Sequence, residues 1–394
     1  MHNFIHSLII LIVLQSCSLK SIVEYVEIKD ENTEKVDKED LVCPIKDSPM
    51  TIYGVHPFIE KHILKVIKSH RLTFEESIYL LSYYQLYLRP DSTSINSRTL
   101  HVFKNFKREG STLYIPNNSN SYLTYLRDKL NARASIDEKR ISKAIRELPK
   151  RIPVTKEMQN FIAERKTQFY NNTFLKKYFF RGNQVIKKDE TYPFAKTWLN
   201  IKNYGDKKTT KINHLFKSKD DYSCSFDDKL YNNGPKFQRK SVKANSHIFG
   251  IFKSKNQFFL TMTSSAPQKQ LKKNTYLFMS KELNTFNGAF CLNKNEEKIV
   301  FSLNNIHSEQ LINNLIHDNK TLEKNVINKK RYLKLLYPQR NIIEIYGEDK
   351  LSEDLKKEDN TIYTMNIGRI NIIDLSSSSV RVLKDPRGDL LKCE

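Results

Sequence analysis

The first half of the chain repeats its apolar positions with a helical period. Over Pro57–His70, Phe58, Ile59, His62, Ile63, Val66 and Ile67 recur at the spacing of one helix face. Thr73-Phe74-Glu75-Glu76 has the form of a capping box, and it predicts a helix over Phe74–Leu88 carrying Ile78, Leu81, Leu86 and Leu88. Arg89-Pro90-Asp91 stops that helix, because proline disfavours helical backbone in the residue before it. Ser135-Ile136-Asp137-Glu138 is a second capping box, opening a helix over Ile136–Leu148 that ends at Pro149. Thr155–Tyr170 predicts a fourth, with Met158, Phe161, Ile162 and Phe169 apolar.

After residue 185 the pattern changes to short apolar runs between turn residues, the signature of strands. The predicted strands are His247–Lys253, Phe258–Thr263, Thr275–Met279, Ala289–Leu292, Lys298–Leu303, Ile342–Tyr346, Ile362–Met365, Ile370–Leu375 and Val380–Leu383. One helix is clear in this part, His307–His317, and a second is expected near Lys330–Tyr337. The fold class is therefore α+β, with a helical N-terminal body (51–185) followed by a β-rich body (186–394) with one or two helices.

Residues 1–50 read differently. Met1–Ser16 carries no Asp, Glu, Lys or Arg, and Leu8–Leu14 is an unbroken apolar run. The run is too short to cross a bilayer, which takes about 20 residues, and has the length of a signal-peptide core. Leu14-Gln15-Ser16-Cys17 follows, with Leu three residues before the Cys and a small residue directly before it. This resembles the lipobox of bacterial lipoproteins. The resemblance covers only the first 20 or so residues and implies a signal peptide over 1–16, lipidation of Cys17, and membrane attachment through that lipid. Ser18, a non-Asp residue after the Cys, implies by the same resemblance an outer-membrane destination in the cell envelope. Residues 17–50 hold five basic and nine acidic residues, including the run DENTEKVDKED over 30–40, and read as an acidic tether.

The 394 residues hold 66 Lys plus Arg against 44 Asp plus Glu, a net +22, so the partners to consider are anionic. Anionic lipid, peptidoglycan or an envelope protein fit an exported chain; nucleic acid is not expected there. Lys176-Lys177-Tyr178-Phe179-Phe180-Arg181 mixes cations with rings that could stack on bases, and burial of the rings is the default reading. Ten glycines leave little material for a phosphate-cradling loop, and no G-x-x-x-x-G-K-[ST] or G-x-G-x-x-G motif occurs. No cofactor or metal is expected: no CxxC and no paired His–Cys spacing is present.

Five cysteines are present, at 17, 43, 224, 291 and 393. With Cys17 lipidated, four remain, in a compartment where disulfides persist. The preferred pairing is Cys224–Cys291 within the β-rich body, with Cys43–Cys393 pinning the tether's end to the C-terminal segment. The G-x-S-x-G, H-E-x-x-H and S-x-x-K signatures are all missing. The expectation from sequence is thus an envelope lipoprotein with a non-enzymatic binding or structural role. Two alternatives stand beside it: an envelope hydrolase with an unfamiliar site in the β-rich body around His247, where Cys291 with His247 is one conceivable thiolate pair, and a surface-exposed adhesin-like protein.

Overall fold

A computed structural model describes residues 42–44, 50–104, 111–114, 121–131, 134–193, 214–219, 222–227, 244–254, 257–281, 288–293, 297–303, 308–318, 324–336, 339–345, 361–364, 367–375, 380–383, 385 and 387. Its helices are α1 (Pro57–Ser69), α2 (Phe74–Leu88), α3 (Tyr122–Asn131), α4 (Glu138–Glu147), α5 (Lys156–Glu164), α6 (Lys166–Tyr170), α7 (Thr173–Phe179), α8 (Ser308–Asp318) and α9 (Lys324–Ile327). The mixture of helices with antiparallel sheets is an α+β fold.

Two sheets face one another at the centre. The first contains β2 (Thr51–Tyr53), β11 (Asn245–Ser254), β12 (Gln257–Ser265), β3 (Arg98–Lys104) and β4 (Ser111–Tyr114), in that order across the sheet. The second runs β1 (Val42–Pro44), β21 (Arg381–Leu383), β20 (Asn371–Asp374), β16 (Lys298–Leu303), β15 (Gly288–Asn293), β10 (Tyr222–Asp227) and β9 (His214–Lys219). Leu100, Val102, Ile248, Leu260 and Met262 of the first sheet pack with Phe290, Ile299, Phe301, Ile373 and Val382 of the second. Because side chains alternate along a strand, Phe103, Phe249, Ile251 and Phe259 point the other way, into a core shared with α1–α5. On the far side Cys224, Ala289, Cys291, Val300 and Ile372 pack under α8 and α9. The result is four layers: helices, sheet, sheet, helices. Strands buried on both faces read as continuous apolar runs, which explains Ile248-Phe249-Gly250-Ile251-Phe252.

Smaller sheets complete the fold. They are β5 (Arg151–Pro153) with β8 (Thr191–Pro193), β6 (Phe180–Arg181) with β7 (Gln184–Val185), and β13 (Pro267–Gln270) with β14 (Phe278–Ser280). A three-stranded sheet joins β17 (Tyr332–Leu336), β18 (Gln339–Glu344) and β19 (Thr361–Thr364).

Several expectations change. The segments 51–185 and 186–394 share one sheet, since β11 and β12 insert between β2 and β3. The helix expected near Lys330–Tyr337 is strand β17, paired with β18 from Tyr332↔Ile343 to Leu336↔Gln339. The helix expected over Thr155–Tyr170 is broken at Arg165 into α5 and α6. The cap of α4 is Asp137, not Ser135: its carboxylate accepts from the backbone N–H groups of Lys139 and Arg140. The box at Thr73 is present with both reciprocal hydrogen bonds. On α1, Ile59, Ile63, Val66 and Ile67 are buried, whereas Phe58 is half exposed. The rings of Phe179 and Phe180 are buried. Among the described residues no helix is long and apolar enough to cross a membrane.

Candidate active site

One buried polar region lies where α2 ends against the first sheet. Arg89 caps α2, its N–H bonding to the Gln85 carbonyl at 2.9 Å. The chain then turns through Ser92 and Thr93, whose N–H groups both bond to the Arg89 carbonyl (3.0 and 2.7 Å). This turn carries Asp91, Ser92, Thr93 and Ser94 inward, all essentially inaccessible to water.

Arg89 organises the charges. It donates twice to Asp91, from Nε to Oδ1 (3.0 Å) and from Nη2 to Oδ2 (2.8 Å). A third contact joins its Nη1 to His247 Nδ1 at 2.9 Å. The other ring nitrogen of His247, Nε2, lies 2.8 Å from the Gly54 carbonyl. Since Arg donates only, His247 accepts at Nδ1 and donates from Nε2, which fixes it as one neutral tautomer. Burial, reinforced by the adjacent Arg89 charge, holds its pKa well below the ordinary value. Burial works against the charge on Arg89 too, but the Asp91 carboxylate outweighs it and raises the pKa. Glu157 is also close: burial disfavours its ionised form, but the Arg89 charge, hydrogen bonds from its own backbone N–H and the Thr155 hydroxyl, and the Arg369 charge together outweigh that and lower its pKa.

The hydroxyls form a ladder beside these charges. Thr93 Oγ1 is 2.9 Å from Thr263 Oγ1 on β12, and Ser94 hydrogen-bonds through Oγ to Ser265 Oγ. Ser97 Oγ accepts the Ser94 N–H at 2.6 Å. Asn96 secures the turn's far end, donating to the Ser280 carbonyl and accepting the Ser280 N–H (2.9 and 2.6 Å). Ser92 Oγ is buried with no hydrogen-bond partner among the described residues. Strand alternation puts His247, Thr263 and Ser265 on this helix-facing side. Ser246 and Ser264, bonded at 3.0 Å, share the opposite, inter-sheet face.

Chemically this is a buried seam of hydroxyls next to a fixed Arg–Asp–His triad. Among the described residues the hydroxyls of Thr93, Ser94, Ser97, Thr263 and Ser265 bond to one another and to main chain, and none donates to a carboxylate or an imidazole. His247, with both nitrogens engaged, holds structure and is not a general base. Nor does it meet Cys291: that residue is joined to Cys224 by a disulfide (S–S 2.00 Å), where β10 and β15 place the two directly opposite in the second sheet. Cys43 lies on β1 opposite Val382, and Cys17 and Cys393 lie outside the described residues. The sequence pointed to His247 but treated Arg89–Asp91 only as a helix stop. The signal for the remainder was two hydroxyl-rich stretches, Ser92-Thr93-Ser94 and Thr261-Met262-Thr263-Ser264-Ser265, separated by more than 160 residues and brought together by the β12–β3 pairing.

No protein-family model matches the chain, and no curated protein matches it in sequence. Solved structures do. A cephalosporin acylase from Bacillus halodurans superposes with a TM-score of 0.52 at 9% identity, over 88% of this chain and 95% of that one. Two structures of LmbA2991 give TM-scores of 0.56 and 0.55 at 7% and 6% identity, covering 86% and 91% of this chain and 97% and 98% of theirs. At such identity the likeness is one of fold. It nevertheless corrects the expectation of a non-enzymatic envelope protein: the fold this chain shares over nearly its whole length is that of an acylase.

Proposed function

We propose that the chain is a hydrolase of acyl bonds, working at the seam between the Arg89–Ser97 turn and the ends of β11 and β12. The observation that carries this reading is the fold shared with an acylase along almost the full length of both chains. The seam supports it with what such a reaction uses: side-chain hydroxyls on a rigid central strand, and a fixed positive charge beside them. Thr263 is the first candidate nucleophile, because it sits on β12 between two hydrogen-bonded neighbours and shares the Arg89 face. Its oxygen would attack the acyl carbon while the hydroxyl proton passes to the leaving nitrogen or oxygen, whose bond to that carbon breaks; water would then attack the acyl–Thr263 ester, returning a proton to Oγ1 and releasing the carboxylic acid.

The test is to incubate the purified full-length protein with a panel of chromogenic N-acyl amides and esters, following product release and intact mass. Turnover or a mass increment of one acyl group is expected, lost in Thr263→Ala and kept in Ser246→Ala on the opposite face. Absence of both turnover and adduct across the panel would overturn the hydrolase reading. Activity that survives Thr263→Ala would remove Thr263 as nucleophile. An envelope location rests on the Leu14-Gln15-Ser16-Cys17 resemblance, and we propose lipid attachment at Cys17 on that basis. Cys17→Ala is then expected to move the protein out of the membrane fraction.

A further inference from the structure

We propose that the exposed face of α1, extended by α4, is a contact surface for anionic phospholipid membranes. The face is independent of the seam described above.

The face follows from helical spacing. On α1 the apolar side, Ile59, Ile63, Val66 and Ile67, is buried in the core. Phe58, Lys61, Lys65 and Lys68, spaced three and four residues apart, share the opposite, exposed side, and exposed Arg71 follows the helix. Glu60 is the sole acid within α1, and it is half-buried, accepting the Ile52 N–H at 3.3 Å. On α4, Ile141, Ala144 and Ile145 are buried, leaving Lys139, Lys143 and Arg146 exposed. His70 Nε2 lies 2.9 Å from Glu147 Oε1, which brings the C-terminal ends of α1 and α4 together. The two cationic rows thereby adjoin. The acids on this side are engaged: Glu147 with His70, and Asp137 as the cap of α4.

Charge alone would suit any polyanion. Phe58 decides between them. Its ring is 50% exposed at the head of the cationic row, tilted against the His62 ring with centroids 4.3 Å apart. A half-exposed aromatic ring at one end of a row of lysines suits a membrane surface: the ring enters the headgroup–acyl boundary while long lysine stems reach the phosphates. Each lysine held near an anionic surface strengthens binding by on the order of fivefold.

The test is co-sedimentation of the full chain carrying Cys17→Ala, the background for every variant below, so that no lipid anchor contributes, with phosphatidylglycerol-containing vesicles and with pure phosphatidylcholine vesicles. Binding to the first at low salt, lost at high salt and absent from the second, is expected. Combining Lys61→Glu, Lys65→Glu and Lys68→Glu should lower partitioning by roughly a hundredfold. Phe58→Ser should lower it without any change of charge. The charge-matched control Lys187→Glu, Lys188→Glu, Lys272→Glu, with unchanged circular dichroism, should bind nearly as wild type. Equal losses in the α1 triple and in the control would reduce the effect to net charge and overturn the proposal. No binding to anionic vesicles, or retention of single-stranded nucleic acid instead, would overturn it as well.

Discussion

Arg387 grips Glu344 from two sides in the interior of the protein. Its Nε donates to one carboxylate oxygen and its Nη2 to the other, the latter at 2.7 Å, with both side chains at 1% exposure or less. Arg387 also donates to Asp385, the Ile327 carbonyl and the Lys329 carbonyl, while Asp385 accepts from Arg331 at 2.6 Å. Two cations and two anions are thus buried together. Removing one member leaves an uncompensated buried charge, which typically costs about 3–5 kcal/mol. Arg387→Ala is therefore expected to lower the unfolding free energy by about that much, read from the urea midpoint. A loss below about 1 kcal/mol would show that the cluster does not hold the C-terminal segment to the β17–β19 sheet.

A buried histidine, His101, and a half-buried one, His247, predict acid lability. His101, stacked on Phe259 with ring centroids 5.6 Å apart, has its pKa driven down to about 3 by burial. His247 is lowered for the reasons given above. Their unfolded-state pKa is about 6.5. As pH falls through that value, the unfolded chain takes up protons that the folded one refuses. Stability is therefore complete above about pH 6.5 and declines below it, by roughly 1.4 kcal/mol per pH unit for each histidine. For His101 the decline ends near its folded pKa of about 3. His101→Phe should flatten the slope of stability between neutral and mildly acid pH, measured by urea titration at each pH. An unchanged slope would mean that the folded protein does not hold the His101 pKa below its unfolded value.

Local pattern made the helices legible and left the sheet pairing hidden. The Thr73 box and the stop at Pro90 bound α2 as the sequence indicates, because both signals are local backbone chemistry. Lys330–Tyr337 was misread because Tyr332, Leu333, Leu335 and Leu336 satisfy a helical and a strand pattern alike, and pairing with β18 decides it. Arg98–Lys104 was passed over within a helical stretch, although its pairing with β12 from Ser264 to Phe258 is what carries the Arg89–Ser97 turn to the site. Charge gave no warning of the Arg89–Asp91–His247 contact, since His247 lies 158 residues from Arg89 in sequence.

The Cys224–Cys291 disulfide closes a separation of 67 residues within the second sheet. Restricting the unfolded chain over such a loop is worth about 4 kcal/mol in the chain-entropy account. The double substitution Cys224→Ala, Cys291→Ala is expected to lower the urea midpoint accordingly, and reduction of the wild type should lower it by a similar amount. Thiol counting on the denatured, unreduced protein checks the bond itself: reactive Cys224 or Cys291 would contradict it.

Gly54 ties the seam to the edge of the first sheet. Its φ of +81° lies in the region that favours glycine, and its carbonyl receives the His247 Nε2–H. A Cβ there would meet the Ile248 carbonyl oxygen at 2.1 Å and Phe249 Cα at 2.9 Å, both of them backbone atoms that cannot swing aside. Gly54→Ala must then push β2 away from β11, lengthening the His247 bond and freeing the imidazole to turn from Arg89. Asp91 would lose part of the order imposed on its partner while remaining buried. The expected outcome is destabilisation of at least 1–3 kcal/mol, together with a His247 resonance whose titration moves up toward the ordinary histidine range in NMR. Destabilisation without any movement of that titration would confine Gly54 to a backbone role. A variant as stable as the wild type would show that β2 does not clamp His247 against Arg89.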